Sequence, residues 1–125
     1  MHAWARWTRT VPDEVTSVGR VLQLPDMDMI PEPLRGRNVV VVEAAILADD
    51  QAAATLMEPL RELGPEMDTF AQGGVLDLVR LHQDPEGPTP AMVRHVLLDR
   101  FDPDGVDAFV AVAGPDSGSP VLSVE

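Results

Sequence analysis

Four successive valines, Val39, Val40, Val41 and Val42, open an apolar run that continues through Ala44, Ala45, Ile46 and Leu47, interrupted by Glu43 alone. Valine suits a strand and resists a helix. Residues 39–47 are therefore read as a strand with two apolar faces, of the kind normally covered on both sides. A helix follows: Asp49 or Asp50 caps it, and Ala53, Leu56, Met57, Leu60 and Leu63 recur at helical spacing. Alternation along the strand separates its faces. Val40, Val42 and Ile46 are assigned to the side that the helix covers. Val39, Val41, Glu43, Ala45 and Leu47 are assigned to an open side, because a carboxylate buried without a partner is costly and should meet water, a ligand or a cation.

The other elements are arranged around residues 37–63. Residues 1–10 read as the last turns of a helix, with Trp4 and Trp7 on one face, as if its beginning lay outside the chain. Residues 15–24 form a strand weakened by Gly19, and 25–37 a loop with three prolines. Pro59 predicts a kink in the helix near 55–59, and Gly64-Pro65 ends it. Residues 66–71 are expected as a short strand, Val75, Leu76, Leu78, Val79 and His82 as one face of a short helix, and 93–99 as a strand. Asp102-Pro103-Asp104 starts a helix whose buried face is Val106, Phe109, Val110 and Ala113, and 120–125 is a last strand. The succession predicts one α+β domain over 1–125, a ferredoxin-like sandwich with helices on one face of a mainly antiparallel sheet.

Charge narrows the choice of partners. With 21 acidic and 9 basic residues the formal net charge is −12, which repels nucleic acid and anionic membrane surfaces. No cysteine is present, so thiolate metal sites, disulfides and a cysteine nucleophile are excluded within the chain. The sequence contains neither an apolar run of bilayer length nor an apolar signal-peptide core, and a cytoplasmic protein is expected.

Several segments together carry a resemblance: WTRTVPDEVTS at 7–17, PLRGRNVVVVEAAILAD at 33–49, MEPLRELGPEMDTF at 57–70, LHQDPEGPTP at 81–90 and AGPDSGSPVLSVE at 113–125. In that order they are similar to FAD-linked oxidoreductases of the bacterial berberine-bridge-enzyme-like group, within the vanillyl-alcohol-oxidase and p-cresol-methylhydroxylase superfamily. The resemblance spans nearly the whole chain and falls on the substrate (cap) domain of that family. It implies a piece truncated at both ends, FAD as the parent's cofactor, and an FAD-binding domain of the same or a companion chain as partner. No flavin-attachment residue carries over.

Read for chemistry, the residues give no catalytic, cofactor-binding or metal site. Glu43 is the substrate-facing candidate, and an ion pair with an arginine such as Arg20 is its structural alternative. Val39 and Val41 join Glu43 and Arg20 as substrate-facing or interface candidates. His82 with Asp84 and Glu86 has metal-ligand residue types, but their spacing crosses a helix end and a proline, and no second histidine is nearby. His95 is read as structural or surface. Ser117 and Ser119 lack a nucleophile-elbow context, and Gly73-Gly74 lacks a phosphate-binding fingerprint.

Two functions follow. One is a substrate domain that walls a pocket over the flavin of an FAD-dependent oxidase or dehydrogenase and is inactive by itself. The other is a free-standing ferredoxin-like module that covers its open face by binding a small ligand or forming a homodimer.

Overall fold

A computed structural model describes residues 1–83, 87–88 and 90–125. It is an α+β structure in which helix α1 (His2–Trp7), strands β1 (Val15–Gln23) and β2 (Asn38–Ile46), helices α2 (Asp50–Arg61) and α3 (Pro103–Ala113) and strand β3 (Ser123–Val124) follow in order. The sheet is antiparallel, with strand order β2-β1-β3.

The long ladder between β1 and β2 sets the geometry. It runs from Val15 opposite Ile46 to Gln23 opposite Asn38. Opposed residues share a face, so Val15, Ser17, Gly19 and Val21 lie with Ile46, Ala44, Val42 and Val40. Thr16, Val18, Arg20 and Leu22 lie with Ala45, Glu43, Val41 and Val39. The first set faces the helices: Trp7, Ala44, Met57 and Leu60 form the buried cluster, with Trp4, Val11, Val15, Val42, Ile46 and Phe70 packed against it. The expected division of β2 therefore stands for Val42 and Ile46. Val40 shares that face by register but remains 54% exposed, beyond the reach of the helices.

The two tryptophans join α1 to everything beneath it. Trp7 donates its indole N–H to the Leu56 carbonyl at 2.7 Å and so ties α1 to α2. Trp4 donates to Ser17 Oγ at 2.9 Å, and Ser17 donates in turn to the Glu43 carbonyl at 2.7 Å. The Trp4 ring lies flat enough on β1 that a Cβ added at Gly19 would sit 2.7 Å from its carbons. Gly19 reads in the sequence as a weakness of the strand; in the fold it is the seat of Trp4. Phe101 meets Trp4 edge-on with ring centroids 6.2 Å apart, and Phe109 of α3 meets Phe101 at 5.7 Å.

Both long helices start as their sequences dictate. Asp49 accepts from the Ala52 N–H at 2.8 Å, and Asp102 from the Gly105 N–H at 3.0 Å with Pro103 at the first helical position. Helix α2 continues through Pro59 to Arg61, and Gly64 follows at φ 66°, a left-handed conformation natural to glycine.

Four expected elements take another form. Residues 66–71 make no strand. Arg37 holds Glu66 at 2.9 Å and Arg61 holds Asp68 at 2.7 Å, so the segment is moored to side chains instead of to a strand. The Arg61 guanidinium and the Phe70 N–H hold the exposed Asp68 carboxyl below its usual range. Residues 93–99 also form no strand, and of 120–125 only Ser123–Val124 pair, opposite Leu22 and Val21. The anticipated short helix is a 3-10 segment, Val75–Arg80, whose capping Gly74 N–H is bound by Asp77. Its apolar residues lie in water rather than on the sheet.

Gly19→Ala should lower stability by about 1–3 kcal/mol, the cost of forcing a methyl into an occupied place. Urea unfolding followed by tryptophan fluorescence measures the loss. An unchanged midpoint would mean that Trp4 does not rest on β1.

Candidate functional site

On the face away from the helices, Arg20, Glu43 and His82 form one cluster. Register places Arg20 opposite Val41 and Glu43 opposite Val18, so the two charged groups are diagonal neighbours on adjacent strands. Arg20 Nη2 donates to Glu43 Oε1, and His82 Nδ1 lies 2.5 Å from Glu43 Oε2. A carboxylate only accepts, so the histidine carries its proton on Nδ1 in this contact. Arg20 Nη2 also donates to the His82 carbonyl at 2.9 Å. Residue 82 is thereby held at two points, by ring and by backbone.

Glu43 is expected on an open side, and the structure corrects this. The residue is buried, at 7% exposure, because His82 arrives from a segment distant in sequence and lies over it. Arg20 is buried as well, while the His82 side chain stays 42% exposed. Arg20 Nε is buried without a hydrogen-bond partner among the described residues. Such an atom carries a desolvation cost with nothing returned, so the cluster owes its stability to the contacts around Glu43.

The expected pairing of Arg20 with Glu43 is present; the part played by His82 is not legible in the sequence. His82 sits 39 residues beyond Glu43, and no periodic pattern links the two. The acidic neighbours in sequence, Asp84 and Glu86, lie outside the described residues. No group of three or more metal-binding side chains occurs among the described residues. Val39, Val41 and Ala45 are half-buried around the cluster, and Leu47 is exposed. His95 is exposed, and Ser117 accepts from the Ser119 N–H within a turn.

Chemically, the arrangement is an ion pair with a histidine locked on it. Its one buried cation is already engaged by Glu43 and by the His82 carbonyl. The cluster therefore does not fit the pyrophosphate of a flavin nucleotide. A groove of about 650 Å³ lies elsewhere, between α1 and the approach to α3, lined by Trp4, Thr8, Arg9, Ser17, Arg100 and Phe101 among others. Arg9 there donates to the Phe101 carbonyl at 2.7 Å, which makes the groove the seam where α3 joins the body. No helix among the described residues is long and apolar enough to cross a membrane.

No protein-family model matches the chain, and no significant match was found among curated proteins or solved structures.

Arg20→Met should destabilise the fold by about 3–5 kcal/mol, since it leaves a buried carboxylate short of its main partner. The double variant Arg20→Met with Glu43→Leu should recover most of that loss, because it removes the stranded charge together with the pair. Urea denaturation of both, against Arg6→Met as an exposed control, measures this. A single variant no worse than the control would show that the pair is not buried in solution.

Proposed function

We propose that this chain is the substrate-domain portion of an FAD-dependent oxidase or dehydrogenase, a cytoplasmic α+β unit that walls the pocket over the flavin and is inactive alone. The observation that carries the reading is the one-sided packing of the sheet. All three helices gather on the Gly19 face. The opposite face is met by the His82 turn, and Val75, Leu76 and Val79 of the neighbouring 3-10 segment are each more than four-fifths exposed. Apolar surface in that position is what a second body covers, and the resembled family has such a body in its FAD-binding domain.

In this reading Val39, Val41 and the 3-10 segment belong to the interface with the flavin-bearing body. Arg20 and Glu43 hold the His82 turn in place against that interface. Flavin chemistry in the parent, the transfer of a hydride from substrate to the isoalloxazine, belongs to the partner domain. The chain's own residues shape and close the pocket.

The alternative is a free-standing ferredoxin-like module. The antiparallel sheet with helices on one side favours it, because that layer order is the one such a sandwich uses. In that case the open face meets a small ligand or a second copy.

Coding DNA on either side of the reading frame, together with the colour of the products, distinguishes the two. The 125-residue chain should purify colourless. A product extended into the flanking frame should carry a flavin-binding domain and purify with one equivalent of flavin. One equivalent of flavin on the present chain, or no flavin domain within or beside the frame, would contradict the proposal.

A further inference from the structure

Two parts of the described chain lack the same thing. Backbone bonds from Leu47 to Glu14 and from Leu24 to Arg37 bracket the β1–β2 ladder. Alternation between them assigns the inward bonds of β2 to Val39, Val41, Glu43 and Ala45. The N–H and C=O groups of Asn38, Val40, Val42, Ala44 and Ile46 therefore point away from β1, at the outer edge of the sheet. None of these groups has a backbone partner among the described residues. Edges in natural proteins are commonly blunted by lysine, proline or a bulge. Strand β2 has no lysine or proline, and its register with β1 is unbroken.

The second part is residues 92–98. Its composition is that of a strand, with Val93, Val96, Leu97 and Leu98 around Arg94 and His95. Met92, Val93, Val96, Leu97 and Leu98 are nevertheless between 62% and 98% exposed. No backbone group of this segment bonds to backbone among the described residues. A strand-forming sequence and a strand-accepting edge thus occur in one chain, and the chain does not join them.

We propose that the occupant of the β2 edge is the segment 92–98 of a second copy of this chain, exchanged reciprocally about a two-fold axis. Each sheet then gains a fourth strand beside β2. Reciprocal exchange closes the assembly at two chains, so both edges and both apolar segments are satisfied together. Charge favours this occupant. The chain as a whole carries −12, whereas residues 91–100 hold Arg94 and Arg100 against Asp99 alone. The helix next to β2 displays Asp49, Asp50, Glu58 and Glu62 in water. A basic strand from one copy approaches an acidic flank on the other. This inference is independent of the flavin reading.

The test is sedimentation of the full chain with Val96→Pro and Val96→Thr. Proline removes a backbone donor and obstructs strand pairing in a segment that bonds to no backbone among the described residues, so it leaves the protomer's circular dichroism unchanged. The wild type and Val96→Thr should sediment as dimers that weaken as salt rises, and Val96→Pro as a folded monomer. Isotope-filtered NMR on mixed labelled and unlabelled chains should give contacts between 93–98 of one copy and 40–44 of the other. A wild-type monomer, a Val96→Pro dimer, or intermolecular contacts confined to Val39 and Val41 would each overturn the proposal, the last pointing to association through the sheet face.

Discussion

The ladder between β1 and β2 has two faces with opposite needs, and both must be met by the same nine-residue strands. One face is apolar and receives three helices. The other contains a carboxylate, Glu43, which burial would make costly without partners. A change of register by a single residue would exchange the faces, placing Glu43 under α2 and Ala44 against Arg20. Trp4 seated on Gly19, Met57 and Leu60 against Ala44, and Arg20 with His82 on Glu43 all assume this one register. Each contact thus supports the same alignment.

Seen this way, the polar cluster is a fastener. The chain passes from the helix side, where Phe70 packs on the buried cluster, to the other side, where His82 meets Glu43. Between these points residues 71–80 are exposed throughout. Two anchorages therefore carry a stretch that has little cohesion of its own. A buried ion pair contributes modestly to net stability, but losing one member is expensive, and that asymmetry suits a fastener. The exposed apolar residues of 75–79 and 92–98 mark surface that the described residues of the chain do not cover.

Much of this was legible in the sequence wherever the signal was local. Val39 to Val42 named β2, the Asp49 and Asp102 caps named both long helices, and alternation placed Val42 toward α2 and Glu43 away from it. The pairing of Glu43 with Arg20 followed from the cost of a lone buried charge. The strands at 66–71 and 93–99 were misread because propensity describes a segment, whereas a strand requires an edge. At 66–71, Arg37 and Arg61 take the segment's acidic side chains instead. At 93–99 the composition is right, but the segment makes no backbone bond to a strand among the described residues. His82 was beyond reach because its contact with Glu43 depends on a long return path through irregular chain, for which one sequence carries no periodic signal. The resemblance to the substrate domain of FAD-linked oxidoreductases rests on ordered segments of sequence alone.

Native-state hydrogen exchange measures the central claim, that one ladder organises the molecule. The inward amides of β1 and β2, at Val18, Arg20, Leu22, Val39, Val41 and Glu43, should exchange slowest and together, at the global unfolding free energy. Amides of 71–80 should exchange quickly, held only by the anchorages at Phe70 and His82. Fast exchange along β1 and β2, or α3 more protected than the ladder, would contradict the account.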